Sequence, residues 1–176
     1  MKKAGIKTVK KRRHECKTNY SKRLKLLKGN RPRLVFRKTN QYLIGQYVVS
    51  VAAQDKVEIG ITSKYLLKHG WPEEFSGSLK SIPAAYLTGY LLGNKIISNK
   101  KETPIVDFGM TRTDHKTKVF AFLKGLIDSG VETDCPEEAF PEKERIEGKF
   151  MKKDFSETFK KIKEKIGESK WAQRIK

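Results

Sequence analysis

Cysteine is nearly missing from this chain of 176 residues: Cys16 and Cys135 are the only two, 119 positions apart. That count excludes a disulfide-stapled fold. The basic start is not followed by an apolar run, so no secretory leader is expected and both thiols are read as reduced in a cytoplasmic protein. Histidine is equally scarce. His14 and Cys16 form an H-x-C pair, but His69, His115 and Cys135 are dispersed, and no second pair completes a zinc-ligand spacing. No metal or other cofactor is expected.

Long apolar runs are missing too. The most apolar stretch, PAAYLTGYLLGNKII from Pro83, reaches Asn94 and Lys95 before it could cross a bilayer. The basic start carries only scattered Ala, Ile and Val, too little apolar surface to lie on a membrane. Neither G-x-x-x-x-G-K-[ST] nor G-x-G-x-x-G occurs, which removes the common nucleotide-binding loops and leaves no expected small-molecule substrate.

The most telling shortage is of acid. Residues 1–38 hold 16 Lys and Arg against one acidic residue, Glu15, whereas the other 138 residues hold 23 basic and 19 acidic groups. Most of the net charge of +19 therefore sits in one arm. Lys and Arg concentrated in this way release the counterions condensed on nucleic-acid phosphates, so the expected partner is a nucleic acid.

What is present reads as one domain with extensions. Residues 1–17 have no apolar periodicity and are expected to order only when a polyanion neutralises them. In NYSKRLKLLK, Tyr20, Leu24 and Leu27 recur at helical spacing with Lys22, Arg23, Lys25 and Lys28 largely off the stripe. Gly29, Asn30 and Pro32 end that helix. RLVFRK then alternates Leu34 and Phe36 with Arg33 and Arg37, as a strand with one apolar and one basic face. YLIGQYVVSVA and KVEIGI follow as strands, with a turn at Gln54-Asp55, so the three form an antiparallel meander.

TSKYLLKHGW reads as a short helix capped by Thr62 or Ser63 and stopped by Gly70, with His69 complementing its dipole. Pro83 opens the main helix, whose Gly89 and Gly93 are expected to let it approach the sheet closely. PIVDFG is a fourth strand, and VFAFLKGLID a helix ended by Gly130. Between them GMTRTDHKTK brings Arg112, Lys116 and Lys118 to a loop before a helix N-terminus, a place that suits phosphate.

After Cys135 the segment EEAFPEKERIEGK is a linker or hugs the surface. Asp154 and Glu157 resemble a capping box before an amphipathic helix carrying Phe155, Phe159, Ile162 and Ile166. The fold class is α/β: a mixed, largely antiparallel sheet with a β-β-β-α-β-α core layered with helices, a basic N-terminal arm and a helical C-terminal tail. The corresponding divisions are 1–30, 31–135 and 136–176.

The same element order occurs in ribonuclease H-like nucleases, so an RNA-processing enzyme or its accessory subunit is the alternative. Two-metal cleavage needs several carboxylates converging on the sheet. Here only Asp107 is so placed; Arg33 and Arg37 occupy the first strand, and no Asp or Glu occurs from Pro83 to Lys101. Asp107 is expected to pair with a basic neighbour or to cap its loop. Catalysis is not expected.

Five strings, TNYSKRLKLLK, PRLVFRKTNQYLIGQYV, LLKHGW, PAAYLTGYLLG and KVFAFLKGLIDSG, occur in order across about residues 7–135. Together they resemble the large-subunit ribosomal protein family that holds 5S ribosomal RNA, the universal L-eighteen family in its archaeal and eukaryotic branch. The length fits an archaeal-type member. The resemblance implies a non-enzymatic protein that binds 5S rRNA and helps anchor it in the central protuberance, beside large-subunit rRNA and neighbouring large-subunit ribosomal proteins. It also implies RNA-facing residues: Lys10, Lys11, Arg12 and Arg13 of the arm; Tyr20, Arg23 and Lys25 of the helix; Arg33, Arg37, Lys38 and Asn40 of the first hairpin; and Lys116 and Lys118. Structured RNA is read largely through phosphate, 2′-hydroxyl and shape, with aromatics available to stack.

Overall fold

In the computed structural model, residues 8–52, 54–151 and 154–168 are described. The first seven residues of the arm lie outside that range. Three strands, β1 (Arg33–Lys38), β2 (Leu43–Val51) and β3 (Gln54–Thr62), form the expected meander. A fourth, β4 (Ile105–Asp107), returns parallel to β1 and gives the sheet order β3-β2-β1-β4. The turn expected at Gln54-Asp55 falls earlier, where Ala52 takes a φ of +48°. Asp55 belongs to β3 because Ser50 and Arg33 hold it to the sheet.

Alternation along the strands splits the sheet into two faces. Leu34, Phe36, Leu43, Tyr47, Ile59 and Ile61 point one way and are all buried. They pack under α4 (Ile82–Ser98) and α5 (Lys118–Asp128), with the Phe36 and Phe122 rings 4.7 Å apart. Ser81 caps α4 by accepting from the Ala84 N–H, and proline sits in its first turn as expected.

Gly89 and Gly93 do not face the sheet. A β-carbon at Gly89 would collide with the Phe122 carbonyl, and one at Gly93 with the Ser129 hydroxyl. Gly125 answers from α5, where a β-carbon would collide with the Tyr86 carbonyl and lie 2.8 Å from the Tyr90 nitrogen. These glycines thus serve a close helix crossing. Contact with the sheet instead depends on Gly45 of β2, whose missing side chain leaves room for Phe122 and Leu92.

The short helix α3 (Tyr65–Lys68) is not capped by Thr62 or Ser63. Ser63 is buried, and its hydroxyl accepts from the Leu43 N–H, which ties the end of β3 to the start of β2. Gly70 does stop the helix, at φ +97°. Burial, then the charges of Lys95 and Lys165, hold His69 below the usual histidine range. That shift works against the charged imidazole and so against the dipole role expected of His69.

The segment after Cys135 packs down rather than running free: Ala139, Pro141 and Ile146 are buried, the last in α6 (Lys143–Glu147). Asp154 accepts from the Ser156 N–H two residues on, an Asx turn and not a capping box. Helix α7 (Ser156–Glu168) then lays Phe159, Ile162 and Ile166 into the chain's own core, joined by Phe155 beside Trp71. A polar clasp fixes it: the Lys163 ammonium donates to the Tyr86 hydroxyl at 2.7 Å, which donates to Asp128 at 2.6 Å. Burial and the Asp128 bond push the Tyr86 phenol far above its usual value, so the clasp keeps its proton. No helix among the described residues is long and apolar enough to cross a membrane.

Candidate nucleic-acid interface

The arm meets the outer face of the sheet, opposite α4 and α5. Lys11–His14 forms one helical turn, α1, where no structure was expected. Backbone N–H groups of Lys17 and Thr18 close on the Arg12 carbonyl, and Arg12 Nε donates to Thr18 Oγ1 at 2.9 Å. Asn19 caps α2 (Tyr20–Lys28) by accepting from the Lys22 N–H. The Lys10 ammonium sits 4.6 Å above the Tyr20 ring, so the arm folds back on α2.

Helix α2 is turned from its expected stripe. Leu24 is 57% exposed, while Arg23, Leu26 and Leu27 are half-buried. The rotation brings the Arg23 guanidinium to Asp55 at 2.9 Å. Asp55 also accepts from Ser50 and, at 2.6 Å, from Arg33. Burial works to raise the Asp55 pKa, but bonds from Ser50, Arg33 and Arg23 outweigh it and hold the carboxyl below its usual value.

Arg33 is the centre of this network. Its side chain is 3% exposed and reaches Asp107 at 3.0 Å, Ser50 at 3.0 Å and Asp55, so one residue of β1 ties down β2, β3 and β4. Arg33 therefore does not face a ligand. The alternation that places it on the outer face is right, but β4 and β3 bring two carboxylates over it. Asp107 behaves as expected, pairing with Arg33 and accepting from the Gly109 N–H at 2.8 Å.

Arg37, four residues along β1 on the same face, is treated differently. It donates to the Phe36 and Asp107 carbonyls at 2.8 and 3.0 Å, yet its side chain stays 41% exposed. Gly109 permits this: at φ +60° it lies under the guanidinium, and a β-carbon there would stand 2.9 Å from it. Arg12, Lys17, Lys22, Arg23 and Arg37 then line one cleft between arm and sheet, with Met110 at its rim. Lys17 and Lys22 were not among the expected contacts; their position beside Asn19 and Arg23 was the available signal.

The remaining expected residues scatter. Lys11, Arg13, Lys25, Lys38 and Asn40 are exposed. Lys116 takes a φ of +58° and pairs with Glu142 at 3.2 Å, and Arg112 pairs with Asp114. Lys118 is half-buried in a second cleft, lined also by Lys38, Arg112, Lys116 and Arg145. Burial, then Lys38 and Lys80, push its ammonium pKa down. The N-cap residue Thr117 makes no side-chain cap; its hydroxyl donates to the Asp114 carbonyl. Among the described residues no three His, Cys, Asp or Glu side chains gather as metal ligands.

Residues 5–105 match the family described as ribosomal large subunit proteins 60S L5 and 50S L18. The chain belongs to this family. It is 39% identical over 140 residues to large ribosomal subunit protein uL18 of Korarchaeum cryptofilum, covering 80% of this chain and 70% of that protein. The uL18 of Methanoculleus marisnigri is 40% identical over 137 residues, 78% of this chain and 76% of its own. That of Methanospirillum hungatei is 37% identical over 140 residues, 80% of this chain and 78% of its own. The family is one of structural ribosomal proteins and not of enzymes, so the nuclease alternative falls. Asp107, committed to Arg33 and Gly109, gives it no support.

Proposed function

We propose that this structural constituent of the large ribosomal subunit, at work on cytoplasmic ribosomes, binds 5S rRNA and helps anchor it in the central protuberance. Large-subunit rRNA and neighbouring ribosomal proteins are its further partners. The observation that carries this reading is the arm cleft. Five cations from the arm, α2 and β1 converge there, and Arg37 is held by backbone carbonyls with part of its guanidinium still open. A preorganised guanidinium beside Lys22, and beside Lys17 with its partner Glu15 at 2.8 Å, suits phosphate, and Tyr20 offers a ring for stacking.

Lys10, Lys11, Arg12, Arg13, Tyr20, Lys25, Arg37, Lys38, Asn40 and Lys118 are the proposed contacts, with Lys17 and Lys22 added. Arg23 contributes through its grip on Asp55, Arg33 shapes the platform from within, and Lys116 is held by Glu142. The test is sequencing of RNA that co-purifies with the full chain, together with titration of a 5S rRNA transcript against transfer RNA. Enrichment of 5S rRNA, and its loss in the Arg12→Ala/Arg37→Ala variant, is the expected result. Equal affinity for both RNAs would overturn the reading.

A further inference from the structure

The second cleft is open: Lys38 and Arg145 are exposed and Lys118 is half-buried. Lys38, Lys118 and Arg145, from the end of β1, the start of α5 and α6, line it, and Lys80, on the approach to α4, stands near Lys118. Among the described residues none of the four pairs with a carboxylate. The acids at this end are taken, Asp114 by Arg112 and Glu142 by Lys116. Burial and, after it, the nearby charges of Lys38 and Lys80 weaken the hold of Lys118 on its proton. A gathering of unpaired like charges costs stability, and an anion would offset that cost.

The two clefts share one end of the sheet. Arg37 lines the arm cleft and Lys38 the second, consecutive residues of β1 leaving opposite faces. They meet again at the loop after β4, where Gly109 and Met110 line the first cleft, and Thr111 and Arg112 the second. Met110, 54% exposed, stands at the saddle between them. An extended single strand would follow one continuous track. Two tracks parted by an apolar tip match the two phosphate rows of an A-form helix across its shallow minor groove.

We infer that the lysine cleft holds a second phosphate backbone, so that the protein straddles a double-helical RNA segment with one strand in each cleft. This deepens the function proposed above and rests on it. The occupant is RNA; an acidic protein segment would leave RNA binding untouched by loss of the cleft charges.

The test uses the full chain with a 5S rRNA transcript, a generic RNA duplex of about 16 base pairs and one of its strands alone. Lys80→Ala/Lys118→Ala/Arg145→Ala should lower the slope of log affinity against log salt for the transcript by about two to three. Its thermal midpoint should not fall, because repulsion is removed; a structural role would lower it. The parent should prefer duplex over single strand, and the triple variant should lose that preference. Lys38→Ala, at an exposed site, provides a milder version with a slope change of about one. An unchanged slope in both variants, or equal competition by the single strand, overturns the inference. Arg12→Ala/Lys22→Ala run beside them separates the two readings. A loss of slope there with none in the cleft variants sinks the straddle alone, and no loss in either sinks the proposed function.

Discussion

Two groups of cations sit on opposite faces of β1, one about Arg33 at its start and one about Lys38 at its end, and they are built on opposite rules. On the outer face Arg33 and Arg23 meet Asp55 and Asp107, charge against charge, with Arg33 and Asp107 buried and the Arg23–Asp55 pair partly exposed. On the helix face Lys38, Lys80, Lys118 and Arg145 form no ion pair among the described residues, and Asp114, which lines the same cleft, is held by Arg112. The first arrangement holds four strands and the arm helix in register; the second holds nothing together within the chain. Local charge density therefore does not identify a binding site. Lack of internal compensation does, because a cation already paired with a buried carboxylate has no spare interaction to offer.

The sharpest way to break the comparison is to remove Arg33. Arg33→Ala leaves Asp107 buried with only part of its partners, and unpairing such a group should cost about 3–5 kcal/mol of stability, read by urea denaturation. An effect within about 0.5 kcal/mol, the range of ordinary surface substitutions, would place Arg33 with the exposed cations. Replacing Arg33, Asp55 and Asp107 together by apolar residues of similar volume should recover most of that loss. RNA affinity should stay low, since α2 would have lost its anchor.

Asp55→Asn makes a less expected prediction. Taking a negative charge from a face that meets a polyanion should by Coulomb's law alone strengthen binding. Here it frees Arg23 and releases α2 from the sheet, so affinity for 5S rRNA should fall about fivefold, the scale of one partly exposed charged hydrogen bond. A gain in affinity would show that Asp55 merely repels RNA. Smaller again, Lys118→Gln should cut affinity about threefold through one lost phosphate contact and raise stability by a few tenths of a kcal/mol. Falling stability would mean that Lys118 has a structural partner after all.

Much of this contrast was hidden in the sequence. Alternation placed Arg33 and Arg37 on one face of one strand, and that is where they are. It could not separate their fates, because Asp55 and Asp107 reach Arg33 from 22 and 74 residues away. Spacing marked Gly89 and Gly93 as packing glycines, yet their partner proved to be α5, since Gly125 answers on a helix whose docking face the sequence does not specify. Local rules did hold for elements fixed by neighbours: Pro83 opens α4, Gly130 closes α5, and Gly70 stops α3. They failed where a side chain had a distant use, as with Ser63, recruited by Leu43, and Arg23, turned inward to Asp55. Arg145 lay in a segment of balanced charge and gave no signal.

Titration gives the mildest test, and the two clusters should respond at opposite ends of the pH scale. Asp55 has its carboxyl held below its ordinary value of 3.8, so the folded state keeps the ion more readily than the unfolded chain. Its contribution is complete above that value and is lost as pH falls through the lower folded pKa. Lys118 is pushed below 10.5, first by burial and then by Lys38 and Lys80, so folding is opposed while it is charged. That penalty lifts as pH rises through the folded pKa toward 10.5, and stability should climb over this window relative to Lys118→Gln. At the acid end Asp55→Asn should flatten the decline below pH 3.8, while Lys118→Gln should leave it unchanged. Thermal midpoints of the three proteins across both windows provide the measurement. If Lys118→Gln altered the acid limb, or Asp55→Asn the alkaline one, the two clusters would be coupled along the length of β1 that separates them.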